Sequence, residues 1–119
     1  MDILSYIVIA VLLGVFIMRF IPASGVKQIS TSELKNLLSD KSKQCIDVRT
    51  PGEYRRNHIR EFKNIPLQDI AKKADLLSKE KEVVVICQSG MRSQNAAKML
   101  KRLGFKNIRN VKGGMSAWR

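Results

Sequence analysis

Two cysteines and one histidine are all that this 119-residue chain carries, and the shortage removes several kinds of chemistry. Cys45 and Cys87 lie far apart with no C-x-x-C pairing, which argues against a disulfide framework and suits a reducing compartment. His58 stands alone without metal-ligand companions and makes no zinc site, so no metal is expected. Aromatic residues are few and no long basic block occurs, so the net charge of +12 and pI near 10.2 do not point to nucleic acid. Lys and Arg are instead scattered from Lys27 to Arg119, as on a solvated basic surface that suits acidic lipid. Internal repeats and low-complexity segments are absent. A chain of this length forms one domain whose core needs no disulfide.

Residues 3–18 have no charge, and Ser5 and Tyr6 are their only polar groups. A helix over 3–21 would span about 28 Å, close to the hydrocarbon core of a bilayer. Arg19 can snorkel from its end, and Pro22 then stops it. A cleaved signal peptide fits less well, because the N-terminus carries Asp2, no basic residue and no A-x-A site. The expected organisation is a transmembrane anchor over 1–21, a linker over 22–25 and a folded domain over 26–119. Arg19, Lys27 and Lys35 follow the apolar run, so the positive-inside rule expects a single-pass cell-membrane protein with its domain in the cytoplasm. Export after signal cleavage is the alternative.

Within the domain, Val26–Ile29 reads as a strand, and Ser30-Thr31-Ser32-Glu33 is a capping box opening a helix with Leu34, Leu37 and Leu38 inward. Gln44–Val48 reads as a buried strand containing Cys45. Pro51-Gly52-Glu53-Tyr54 starts a short helix with Pro early. Leu67 to Leu77 reads as a helix, Ile108–Val111 as the last strand, and Met115–Trp118 as a final helical turn. Trp118 is expected to anchor packing.

The centre of the chain is Val83-Val84-Val85-Ile86-Cys87-Gln88-Ser89-Gly90-Met91-Arg92-Ser93. Val83–Ile86 is a continuous, mostly β-branched run, the pattern of a strand buried on both faces. Ser89-Gly90 breaks the strand, and Ala96, Ala97, Met99, Leu100 and Leu103 then recur at helical spacing over Gln94–Leu103. Cys87 therefore sits at the C-terminal end of a parallel strand, where open α/β sheets bind ligands. A helix N-terminus and the permanent charge of Arg92 would both favour thiolate over thiol.

Cys87-Gln88-Ser89-Gly90-Met91-Arg92-Ser93 resembles the active-site loop of rhodanese-type sulfurtransferases. Ile46-Asp47-Val48-Arg49-Thr50-Pro51-Gly52-Glu53-Tyr54, His58-Ile59, Asn64-Ile65-Pro66-Leu67 and Gly113-Gly114-Met115-Ser116-Ala117-Trp118 carry the resemblance along residues 26–119 in the family's order. It implies an α/β fold, a central, mostly parallel sheet with helices on both faces. It further implies that Cys87 takes a sulfane sulfur from thiosulfate or a persulfide, holds it as a persulfide and passes it to a thiol or cyanide. Backbone N–H groups of Gln88, Ser89, Gly90, Met91 and Arg92 would cradle that sulfur, with Ser93 as helix cap or hydrogen-bond donor. Asp47, Arg49 and Glu53 would support the loop, Glu53 pairing with Arg49, and no cofactor is required. His58 is implied to be structural. Asn57, Glu61 and Phe62 replace small residues usual in the family.

Two other functions compete. Cysteine phosphatases share the Cys–loop–Arg logic but carry five residues between Cys and Arg; here there are four, Gln88 to Met91, a smaller cradle. A membrane-tethered binding module without turnover would not need Cys87, Gly90 and Arg92, all of which are present.

Overall fold

The computed structural model describes residues 2–18 and 25–119. Five strands form one sheet: β1 (Val26–Ile29), β2 (Gln44–Asp47), β3 (Lys63–Asn64), β4 (Val83–Ile86) and β5 (Ile108–Val111), in the order β1-β5-β4-β2-β3. Every pairing is parallel. Parallel neighbours need crossovers, which put helices over both faces and leave the middle strand dry on each side. That is why β4 is unbroken Val-Val-Val-Ile, with all four residues fully buried.

Alternation along β4 divides the core. Val83, Val85 and Cys87 face one layer with Ile70 and Ala74 beside α4 (Ile70–Lys73), and Ala96, Ala97 and Leu100 of α5 (Met91–Arg102). Val84 and Ile86 face the other, with Leu34 of α2 (Thr31–Leu37), Ile59, Phe62 and Met115 of α6 (Gly114–Ala117). Burying each large apolar side chain contributes about 1.5–3 kcal/mol, so both layers are needed to offset chain entropy.

Local signals explain the boundaries. The Ser30–Glu33 capping box opens α2. A second, Thr50 with Glu53, opens α3 (Pro51–Arg56), with Pro in its first turn. Four expected boundaries shift, the final helical turn being Gly114–Ala117 rather than Met115–Trp118. β2 closes at Asp47, one residue early. Residues 67–76 form a 3₁₀ turn, the short α4 and another 3₁₀ turn, both ends tightened by i→i+3 bonds from Asp69 N–H to the Pro66 carbonyl and from Leu77 N–H to the Ala74 carbonyl. α5 begins at Met91 rather than Gln94, because Gly90 adopts φ +102° and turns the chain directly into the helix. The departures near His58 are also resolved: Asn57 is extended, and Phe62 fills the core at 1% exposure.

The expected transmembrane helix is corrected. α1 covers Ile3–Met18, its N-terminus capped by Asp2 through Ser5. None of its residues is buried. Sixteen residues reach about 24 Å, short of a hydrocarbon core about 30 Å thick. Among the described residues no helix is long and apolar enough to cross a membrane. The last part of the expected span, 19–21, and most of the expected linker, 22–24, lie outside the described residues.

Candidate active site

Cys87 is the first residue past β4 and is fully buried. The left-handed turn at Gly90 points its N–H back at the sulfur, 2.9 Å from Sγ. Ser93, in the first turn of α5, places its hydroxyl 3.4 Å from the same Sγ and 3.1 Å from the Gly90 carbonyl. Both are donors to negative sulfur, and both come from the strand–loop–helix junction itself. The helix cap is Gly90, not Ser93. Gln88, Ser89 and Met91 are the exposed members of the loop.

Two carboxylates hold the surroundings, with partners other than those expected. Glu53 does not pair with Arg49. Its Oε1 accepts from Arg92 Nη1 at 2.7 Å and its Oε2 from Arg92 Nη2 at 2.9 Å. The same Oε1 closes the Thr50 capping box. Hydrogen bonds from Arg92, the largest influence, hold the Glu53 carboxyl down at about 2. Arg92 is in turn raised above its ordinary value, first by Glu53, with Cys87 and Asp47 adding to the attraction.

Arg49 closes instead on Asp47, in a pair that is almost wholly buried. Nε lies 3.0 Å from Oδ1, and Nη2 lies 2.8 Å from Oδ2. Arg49 then reaches out, Nη2 to the Asn57 carbonyl at 2.6 Å and Nη1 to Gln88 Oε1 at 3.3 Å. Gln88 is thereby tied to the end of β2, and its Nε2 donates to Ser116 Oγ. α6 braces the loop from behind: Met115 N–H donates to the Cys87 carbonyl at 2.8 Å and Ser116 N–H to the Gln88 carbonyl at 2.9 Å. A Cβ on Gly114 would sit 2.2 Å from the Cys87 carbonyl oxygen, so only glycine permits this approach.

Cys45 belongs to the opposite core layer from Cys87. Burial pushes its thiol up to about 11. The sheet separates it from Cys87. His58 stacks on Tyr54 and bonds its carbonyl through Nδ1, a local brace away from the sulfur. Among the described residues no cluster of His, Cys, Asp and Glu could hold a metal. A groove of about 920 Å³ beside the loop is lined by Ser89, Gly90 and Met91 and by Leu12, Val15 and Phe16 of α1.

Sequence reasoning passed over Asn110, Gln28 and Ser116. Asn110 interrupts the otherwise apolar inward face of β5, and a buried polar residue there was the available signal. Gln28 and Ser116 sit in stretches too short to show which way they face.

Residues 30–119 match the family described as "Rhodanese-like domain". YtwF of Bacillus subtilis (strain 168) is 45% identical over 94 residues, covering 78% of this chain and 90% of its own. The thiosulfate sulfurtransferase GlpE of Shewanella oneidensis is 32% identical over 95 residues, covering 80% and 94%. Another curated relative is much longer, and the matched region spans 52% of it. Among solved structures, a rhodanese-like domain protein from Staphylococcus aureus superposes with TM-score 0.72 and 36% identity, covering 78% of this chain and 91% of that one.

Proposed function

The chain belongs to the rhodanese-like domain family, and on that premise we propose that it is a sulfurtransferase that carries sulfane sulfur on Cys87. The Cys87 thiolate attacks the outer sulfur of a donor. The donor's sulfur–sulfur bond breaks, its electron pair leaves with the donor's inner atom, and Cys87 becomes a persulfide. An acceptor thiolate then attacks the outer sulfur of that persulfide, and the pair from the broken bond returns to Cys87 Sγ. No external oxidant or reductant is needed, because at each step the attacking thiolate displaces the group that held the sulfur, a thiolate from a persulfide or sulfite from thiosulfate, together with its electron pair. The observation carrying this reading is the Gly90 N–H at 2.9 Å from Sγ, a donor built into the backbone where the nucleophile and leaving group form.

The donor we favour is a persulfide rather than thiosulfate. Arg92 is the loop's one cation, and both prongs of its guanidinium are engaged by Glu53. A cation so neutralised attracts a small dianion weakly. The acceptor is a thiol, with cyanide as an assay substitute. We propose the cytoplasm as the domain's compartment, a reading that two buried, unpaired thiols suit. External protease on intact cells should spare it there; cleavage would place it outside.

The test is intact mass of the full chain after exposure to thiosulfate and, separately, to a small-molecule persulfide. One sulfur should be gained at Cys87, faster from the persulfide, and Cys87→Ser should gain none. Loading on Cys45 alone, or on neither cysteine, would overturn the assignment.

A further inference from the structure

Beneath the first turn of α5 lies a line of polar side chains that the transfer steps above leave unused. Asn110 is 1% exposed and shares its sheet face with the α5 layer. Its Oδ1 accepts a hydrogen bond from Ser93 Oγ. Its Nδ2 donates to Gln28 Oε1 at 2.9 Å and to the Gly90 carbonyl at 3.4 Å. Gln28 is its direct neighbour in the β1–β5 register. At the far end, Gln28 Nε2 is the one buried side-chain nitrogen or oxygen without a hydrogen-bond partner among the described residues.

Ser93 has a single hydroxyl proton and three acceptors within reach: Asn110 Oδ1, the Gly90 carbonyl and Cys87 Sγ. One proton serves one acceptor at a time. With Asn110 presenting its oxygen, the hydroxyl has a strong competitor to the sulfur.

We propose that Gln28 and Asn110 are positioning residues whose side-chain amides turn over together when Cys87 becomes a thiolate, releasing the Ser93 proton to the sulfur. After the turn Gln28 Nε2 donates to Asn110 Oδ1, Asn110 Nδ2 donates to Ser93 Oγ, and Ser93 O–H donates to Sγ. Every donor in that line points toward the negative charge. The unpaired buried N–H gains a partner, and the atom left over is Gln28 Oε1, an acceptor, which is less costly to leave unmet. The 3.4 Å bond to Gly90 is the weak contact given up. No covalent bond changes and every proton stays on its own heavy atom. Cys87 is negative both as attacking nucleophile and as leaving group, so the amides would turn in each half-reaction. Charged groups at this end of the sheet are Asp47 closing β2, Arg49 just after it, Glu53 on α3, Arg92 and Lys98 on α5 and Lys112 after β5. None of them is a member of the line.

The inference rests on the thiolate role of Cys87 but not on sulfur as cargo, so alkylation tests it separately from the mass experiment. In the full chain labelled with ¹⁵N, the Asn110 side-chain amide should shift as Cys87 ionises, gaining proximity to Ser93, and should stay still in Cys87→Ala. Gln28→Glu, a half-buried change on the edge strand, keeps the oxygen that Asn110 Nδ2 donates to at rest and removes the N–H that Asn110 Oδ1 needs after the turn. The Asn110 amide should then stay still as Cys87 ionises, and iodoacetamide should modify Cys87 about fivefold more slowly near neutrality, with the rate–pH curve displaced upward and a loss in kcat exceeding any change in KM. An Asn110 amide unmoved through the ionisation in wild type, or one that still turns in Gln28→Glu, would overturn the proposal.

Discussion

Arg92 and Glu53, 39 residues apart in sequence, meet as a two-pronged ion pair at 2.7 and 2.9 Å. The pair fastens the first turn of α5, which carries the active-site loop, to the start of α3. Because Glu53 also closes the Thr50 capping box, one carboxylate holds a helix start and the loop together.

Arg92→Ala should lower sulfur transfer roughly tenfold or more, the scale of losing a charge-assisted contact. Arg92→Lys should restore little, since a point charge cannot reproduce two parallel bonds to one carboxylate. Turnover of the three proteins at saturating donor checks this, and equal rates would remove the pair from the mechanism.

The same pair sets a pH window. Glu53 sits at about 2 in the fold against an ordinary 4.5, so folding favours its ionised form. Its contribution is complete above about pH 4.5 and fades as pH falls toward about 2. The urea-midpoint difference between wild type and Glu53→Gln should be constant near neutrality and close in acid. A difference that grows on acidification contradicts the assignment.

Arg49→Met leaves Asp47 as a buried carboxylate without its cation. Stability should fall by about 3–5 kcal/mol, the usual consequence of removing one partner from a buried pair. Asp47→Asn with Arg49→Met together should recover part of it. Chemical denaturation of the single and double variants measures the difference.

Gly114→Ala would drive a Cβ into the Cys87 carbonyl at a φ of +55°. The loop must then retreat from α6, and transfer should fall at least tenfold while Cys45 stays protected. Gly52→Ala, where a Cβ meets no heavy atom within 4 Å, is the control and should behave as wild type.

Cys45 should resist alkylation in the folded chain until strongly alkaline pH, because burial holds its thiol near 11. Cys45→Ala should keep transfer within about twofold. Mass spectrometry after limited alkylation reads both cysteines at once; modification of Cys45 before Cys87 would contradict their placement on opposite faces.

Much of this was written locally. An unbroken β-branched run can only be satisfied by burial on both faces, so Val83–Ile86 had to be central. A glycine between a strand and a helix-spaced segment marked the turn that aims an N–H at Cys87. Capping boxes are legible because donor and acceptor lie three residues apart; Ser30–Glu33 was expected, and Thr50–Glu53, equally local, was passed over. The partner of Glu53 was not, since that depends on β4 standing beside β2 and so bringing α3 to the start of α5. Nor was the line from Gln28 to Ser93, which exists because β1 pairs with β5 and places two amides side by side beneath a third element. Sequence spacing determines period, caps and turns, whose interactions span a few residues; which distant polar groups face each other is decided by strand order, because only the assembled sheet fixes their distance.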